Sequence, residues 1–277
     1  MGIFNGCILA SDYDGTLADS SGQISDEVRK AIKYFTENGG LFTVCTGRTK
    51  QGFHAFDSEL MNAPILLANG SMAYDYANGK TVFLDGITED GEPEIRYIKD
   101  NYPDLGIEMY GADFKSYVIN PKPRNVTHFE FQFIDFEVVD DIPKSLFPAV
   151  KVMIFVGKDR CIDFQNFLDS APLDRIKYIP QYGDFIEFVS RTSDKGRGLL
   201  KLAEAYGIEK SRVFSIGDGA NDVTMLRAAA VGFVPENGCD LAKAAGNIIV
   251  KSNDEAAVAD AIYRIEKIIS EDNNESN

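Results

Sequence analysis

Three short apolar runs near the start of the chain, Cys7–Ser11, Leu41–Cys45 and Ile65–Ala68, constrain its fold more than any other feature. Each is nearly continuous, with no apolar/polar alternation, and each closes in a turn rich in Asp, Thr, Asn or Gly. Such runs suit strands buried on both faces, as in a parallel sheet. Between the first two, Ser25-Asp26-Glu27 opens a stretch in which Val28, Ala31, Ile32 and Phe35 recur at helical spacing, and Asn38-Gly39-Gly40 stops it. A helix-like stretch from Lys50 to Met61 separates the second and third runs. The order β-α-β-α-β predicts an α/β fold with a Rossmann-like parallel sheet core.

The rhythm breaks after about Thr81. Strand-like pieces at Tyr117–Ile119, Phe129–Phe133, Val150–Val156 and Phe185–Val189 mix with helix-like pieces at Glu94–Asn101 and Asp159–Asp169. Pro121, Pro123, Pro143 and Pro148 punctuate the stretch, which reads as an α+β module. Alternation resumes after Ser193, with helices expected at Lys195–Tyr206, Asn221–Ala229 and Glu255–Ile269. Strands are expected at Val213–Ile216, Val231–Val234 and Ile248–Val250, and a frayed polar tail at 271–277. The expected division is a core of residues 1–82 and 188–277 interrupted by an inserted cap of residues 83–187.

The formal net charge of −15 opposes binding to nucleic acid or an anionic membrane surface. A phosphate site on such a chain must be made locally positive by a metal, a lysine and backbone N–H groups. Cys7, Cys45, Cys161 and Cys239 form no CxxC pair, so neither a zinc ribbon nor a disulfide framework is expected. With no basic leader at the N-terminus and no apolar stretch of about 18 residues, the expected location is cytoplasmic. Oligomeric state is not legible.

The turns carry the chemistry. Asp12 and Asp14 stand two apart at the end of the first run, so an extended backbone points both carboxylates to one side. Gly15 allows the chain to turn tightly beside a ligand. Thr46-Gly47-Arg48 closes the second run, Asp194-Lys195-Gly196 opens a helix, and Gly217-Asp218-Gly219-Ala220-Asn221-Asp222 follows Phe214-Ser215-Ile216. Taken singly, these are ordinary caps and solvated turns. Together they matter, because the ends of parallel strands converge on one sheet edge, where α/β folds bind ligands.

In this order the segments resemble the four motifs of the haloacid dehalogenase superfamily. Asp12-Tyr13-Asp14-Gly15-Thr16-Leu17 is similar to the first, Thr46-Gly47-Arg48 to the second, Lys195-Gly196 to the third, and Gly217-Asp218 with Asn221-Asp222 to the fourth. Asn69-Gly70, Asp222-Val223-Thr224-Met225-Leu226 and Ser252-Asn253-Asp254-Glu255 resemble its Cof-type phosphatases. The long interval between Asn69 and Lys195 matches the branch with a C2-type cap. One stretch departs: Val231 to Asn237 reads Val-Gly-Phe-Val-Pro-Glu-Asn where relatives often carry Gly-Val-Ala-Met-Gly-Asn, which leaves the role of the Pro235-Glu236 loop open.

The resemblance implies a Mg²⁺-dependent phosphohydrolase with Asp12 as nucleophile, passing through an aspartyl-phosphate. It implies Asp14 as general acid/base, from a site that raises its pKa, and Mg²⁺ held by Asp12, the Asp14 backbone carbonyl and Asp218. Thr46, Gly47, Lys195 and Asn221 would bind the phosphoryl group, with Asp222 behind them. The expected substrate is a small phosphorylated metabolite, sugar phosphates first. Asp184, Phe185 and Glu187 are positional candidates for contacting it from the cap. A phosphomutase or phosphotransferase would share every core residue. A non-catalytic binding protein is a third reading, opposed by the completeness of the motifs.

Overall fold

The computed structural model describes residues 2–53, 55–179 and 184–275. The chain runs β1 (Ile8–Ser11), α1 (Asp26–Glu37), β2 (Leu41–Val44), β3 (Ile65–Leu67), β4 (Met72–Asp75) and β5 (Lys80–Leu84). It continues through α2 (Glu92–Asn101), β6 (Gly106–Gly111), β7 (Ser116–Ile119), α3 (Pro123–Phe131), β8 (Glu137–Val138), β9 (Ala149–Phe155), α4 (Cys161–Ser170), β10 (Ile176–Ile179) and β11 (Phe185–Ser190). It closes with α5 (Lys195–Ala205), β12 (Val213–Ile216), α6 (Val223–Ala228), β13 (Val231–Pro235), α7 (Asp240–Ala245), β14 (Ile248–Val250) and α8 (Ala257–Glu275).

The core is a five-stranded parallel sheet of order β14-β13-β12-β1-β2. Its layering follows from the pleat, which sends successive side chains to opposite faces. Cys7 and Leu9 pack with Val28, Ala31, Ile32 and Phe35 of α1 and Val258, Ile262 and Ile265 of α8. Ile8 and Ala10 pack instead with Leu199, Leu202 and Ala203 of α5 and Met225 of α6. Both faces of β1 are buried, which is why its sequence is apolar without alternation. The Ser25 side chain accepts from the Val28 N–H and caps α1 as expected.

Past β2, a parallel bridge between Cys45 and Leu66 hands the chain to an antiparallel sheet of β3, β4 and β5. The inserted module is a six-stranded sheet of order β10-β11-β9-β6-β7-β8, antiparallel except for β7 with β8. One face carries Ile107, Met109, Val152, Ile154, Ile186 and Phe188 into an apolar cluster with Ile95 and Ile98 of α2 and Phe164 and Leu168 of α4. The alternate positions, Glu108, Tyr110, Lys151 and Glu187, are on the other face. The expected divisions at 82/83 and 187/188 fall inside β5 and β11.

Three expectations need correction. Phe129–Phe133, read as a strand, lies in and just beyond α3: Phe129 is buried while Phe131 and Phe133 are 75% and 81% exposed. The alternating phenylalanines imitate a strand, but the Asn125 side chain accepts from the Lys122 N–H and starts a helix. Lys50–Met61 is not a full helix; among its described residues the helical segment is a 3-10 turn, Ala55–Leu60. The tail stays helical to Glu275, and Ser276 and Asn277 lie outside the described residues. All four cysteines are free thiols, with Cys7 and Cys45 buried. Among the described residues no helix is long and apolar enough to cross a membrane.

Candidate active site

Three of the turns leave the C-terminal ends of the parallel strands β1, β2 and β12, and the start of α5, which follows the cap strand β11, converges with them. The Asp12 N–H donates to Ile216 O, continuing the β1–β12 ladder by one residue and fixing where the Asp12 side chain emerges. The chain then makes one wide turn over Tyr13–Leu17, closed by the Ala18 N–H to Tyr13 O. Gly15 stands at φ +78°, and a Cβ there would lie 2.8 Å from Asp218 Oδ2. Only glycine meets both demands. Thr16 donates its hydroxyl to Asp218 Oδ1 at 2.7 Å, binding the first turn to the fourth.

At the centre lies Lys195, fully buried at the first turn of α5. Its Nζ donates to Asp12 Oδ1 at 2.7 Å and to Asp222 Oδ1 at 2.5 Å. Asp222 Oδ2 accepts from the Gly219 N–H, so its carboxylate is held on both sides. Asp194 caps the helix by accepting from the Arg197 N–H. Burial pushes the Asp12 carboxyl up, and the charges of Asp222 and Asp218 push it further; Lys195 pulls against them, leaving it at about 8. Asp218 is also raised, by burial first and then by Asp222. Burial opposes the charge on Lys195, but Asp12 and Asp222 outweigh it and hold the ammonium above its ordinary range.

Carboxylate oxygens of Asp12, Asp218 and Asp222 lie within 4.8 Å of one another. Three carboxylates face one ammonium, an excess of negative charge in a largely buried space. Such an arrangement is costly without a further cation, and an all-oxygen donor set suits a hard divalent ion. The residues therefore fit a metal ion. Asp14 is not in this cluster. Its two carboxylate oxygens accept from Arg48 Nε at 2.9 Å and Arg48 Nη2 at 2.6 Å, with the Asp14 side chain 59% exposed. It stands in solvent and not in the buried setting expected for it, and Arg48, quoted within its turn but given no role, is its partner.

Thr46 is buried and accepts from the Arg48 N–H through Oγ1. The Gly47 carbonyl accepts from Lys151 of the cap at 2.9 Å. Asn221 donates to Asn69 Oδ1, and Asn69 donates onward to Glu187 Oε2 at 2.7 Å. Behind the fourth turn, Asn237 donates to the Gly15 carbonyl, and the Cys239 N–H donates to Asp218 O. The divergent loop after β13 thus braces both Gly15 and Asp218.

A cavity of about 520 Å³ joins these groups to the cap. Asp12, Asp14, Thr46, Gly47, Asp218 and Asn221 line its core side; Lys195 and Asp222 lie beneath its floor. Of the three cap candidates only Glu187 lines it. Asp184 pairs with Arg124 at 3.5 Å, and Phe185 packs under the His128 ring with centroids 4.8 Å apart, so both stand one layer back. The cap wall consists of Arg124, His128, Phe131 and Gln132, from α3 and its C-terminal residue, with Lys151 and Glu187. The sequence reading missed α3 by taking its end for a strand. A lone charged residue in an otherwise apolar strand would have pointed to Lys151 and Glu108.

A family model described as haloacid dehalogenase-like hydrolase matches residues 9–262. The chain is 30% identical over 298 aligned residues to the 5-amino-6-(5-phospho-D-ribitylamino)uracil phosphatase YwtE of Bacillus subtilis, covering 95% of this chain and 98% of that one. A solved haloacid dehalogenase-like hydrolase from Bacteroides thetaiotaomicron superposes with a TM-score of 0.79 at 24% identity, covering 94% and 99% of the two chains. A sugar phosphatase of subclass IIB superposes with a TM-score of 0.80 at 19% identity, covering 94% and 98%.

Proposed function

The chain belongs to the haloacid dehalogenase-like hydrolases, as a phosphatase of the Cof type, and from that premise we propose that it hydrolyses a small phosphorylated metabolite through an aspartyl-phosphate on Asp12. The observation that carries the reading is the buried Lys195 bound to both Asp12 and Asp222 beside Asp218. Unaided, phosphate monoesters hydrolyse so slowly that the acceleration required reaches about 10²¹-fold. Most of it comes from in-line positioning and charge neutralisation.

Lys195 engages Asp12 Oδ1, which leaves Oδ2 to attack phosphorus. As the new O–P bond forms, the bond to the leaving oxygen breaks and its electron pair goes to the alkoxide. Asp14 gives that alkoxide a proton. It then takes a proton from water, whose oxygen attacks phosphorus and releases Asp12 and inorganic phosphate. The Arg48 pair must open before Asp14 delivers its proton, so opening and closing of that pair belongs to the cycle. Thr46, the backbone at Gly47, and Asn221 hold phosphoryl oxygens. A divalent cation, Mg²⁺ in this reading, would be held by Asp12, Asp218 and the Asp14 carbonyl and would offset phosphoryl charge.

Sugar phosphates remain the first substrate class. The 5-amino-6-(5-phospho-D-ribitylamino)uracil named for the Bacillus relative carries its phosphate on a hydroxylated ribityl chain and so falls beside them. The test is release of inorganic phosphate from p-nitrophenyl phosphate and from a panel of phosphorylated metabolites, with and without a chelator. Turnover should need Mg²⁺ and vanish in Asp12→Asn. Substantial turnover by that variant, or by chelated wild type, sinks the mechanism. Transfer of the phosphoryl group to a second hydroxyl in preference to water would favour the phosphotransferase.

A further inference from the structure

Glu108 lies on β6, on the cap-sheet face that carries Lys151 and Glu187 and away from the apolar cluster. It is fully buried, yet it belongs to none of the catalytic turns. Its Oε1 accepts from Asn125 Nδ2 at 2.9 Å; its Oε2 accepts from the Tyr110 hydroxyl at 2.7 Å and meets His128 Nδ1 at 2.8 Å. A buried carboxylate is expensive unless its lone pairs are filled by donors, and these three fill them. Asn125 cannot turn its amide round, because its Oδ1 accepts from the Lys122 N–H. Of the three partners, His128 is the one whose ring lines the cavity.

This geometry settles which imidazole nitrogen is offered. With a carboxylate at Nδ1, the proton sits on Nδ1 and the ring is fixed in orientation, the same logic by which a carboxylate orients a functional histidine. The single lone pair of Nε2 accepts from the Gln132 side-chain amide, so a substrate hydroxyl that donates to Nε2 takes the place of that amide and frees it to turn toward the substrate. Arg124, His128 and Gln132 follow one another at i, i+4 and i+8, so one helical stripe faces the cavity. The opposite wall carries every group that handles phosphate. The stripe therefore meets what remains of the substrate, the leaving group.

We propose that His128 Nε2, fixed by the buried Glu108 and flanked by Gln132, is the cap contact that selects a hydroxyl-bearing leaving group, with Glu108 acting as a positioning residue. The proposal rests on the phosphomonoesterase reading above and deepens it. The ligand class is the phosphomonoester of a sugar or polyol, because the unprotonated Nε2 accepts from one hydroxyl while the neighbouring Gln132 carboxamide can donate to or accept from another. A leaving group without hydroxyls gains nothing from this wall.

Two measurements test it. The chain has only two histidines, so the nitrogen resonances of ¹⁵N-labelled protein, assigned with His128→Gln, read the His128 tautomer directly. A proton on Nδ1, lost from that position in Glu108→Gln, is expected; a neutral ring with its proton on Nε2 in the wild type overturns the proposal. The second is kinetic, on a pentose, a hexose and a pentitol phosphate against p-nitrophenyl phosphate. His128→Ala should raise KM for the preferred hydroxylated substrate about 10-fold, the worth of one good hydrogen bond, with a clearly smaller factor on p-nitrophenyl phosphate. His128→Gln should recover part of the loss. Glu108→Gln should show the same KM effect, and the double variant Glu108→Gln/His128→Ala no more than His128→Ala alone. Equal factors on all substrates, or additive losses in the double variant, overturn it. Absence of wild-type turnover on every phosphomonoester would instead overturn the phosphatase reading, while the tautomer result would stand by itself.

Discussion

Lys151 and Glu187 tie the cap to the core through one buried cluster, and its rupture is the most quantitative prediction the structure allows. Lys151 is 3% exposed and Glu187 5%. Lys151 Nζ donates to Glu187 Oε1 at 3.1 Å and to Gly47 O at 2.9 Å, and it lies 5.4 Å from the Tyr110 ring centroid. Glu187 Oε2 accepts from Asn69 on the core side. In Lys151→Met the aliphatic stem is kept, but Glu187 retains a buried charge with one donor, and Gly47 O loses this one. Breaking a buried pair from one side costs about 3–5 kcal/mol. Neutralising the stranded charge in Lys151→Met/Glu187→Gln should leave only lost hydrogen bonds, at roughly 1–2 kcal/mol. The double variant should therefore be about 2–3 kcal/mol more stable than Lys151→Met alone, measured for both singles and the double by urea unfolding followed by circular dichroism. A Lys151→Met cost below about 1 kcal/mol, the range of an exposed pair, would refute the reasoning. So would a double variant whose loss is the sum of the singles.

Asp14→Asn should reduce turnover of alkyl phosphates far more than that of p-nitrophenyl phosphate, whose leaving group needs no proton; equal losses at the chemical step count against the acid role. Gly15→Ala should destabilise the fold by at least about 1–2 kcal/mol from the left-handed backbone alone, seen as a lowered thermal midpoint. It should also weaken Mg²⁺ activation, because its Cβ meets Asp218 Oδ2; unchanged activation would mean that Asp218 holds no metal. Asp85 accepts from Thr192 and Lys201 and so joins the two crossings into the cap. Burial pushes its carboxyl up, but those hydrogen bonds outweigh burial and hold it below its ordinary range. A lowered folded-state pKa means that its stabilisation is present above the unfolded value and is lost as pH falls through the folded one. Asp85→Asn should therefore be less stable than wild type at neutral pH, with the gap closing below about pH 4; a gap independent of pH would mean that the charge does not matter.

The parallel core was legible because local and global demands coincide there. β1 is apolar on both faces since helices cover both, and no other placement would hide Cys7, Ile8, Leu9 and Ala10 together. The turns after β1, β2 and β12 could be recognised because parallel strands must end on one edge, so spacing in sequence becomes proximity in space. Even the cap's strands at Tyr117, Val150 and Phe185 could be read from local pattern. The partnerships could not. That Arg48 takes Asp14 and that Glu108 meets His128 are contacts between separate elements, and that Lys151 reaches Gly47 depends on which face of the cap sheet meets the core. Phe129–Phe133 shows the same limit inside one element: alternation argued for a strand, and burial of Phe129 alone, with Asn125 capping the helix start, made it a helix. Sequence by itself determined where the reacting groups emerge, because that depends on strand ends. Tertiary structure alone decided what faces them across the cavity, because that depends on how the cap sheet is laid against the core.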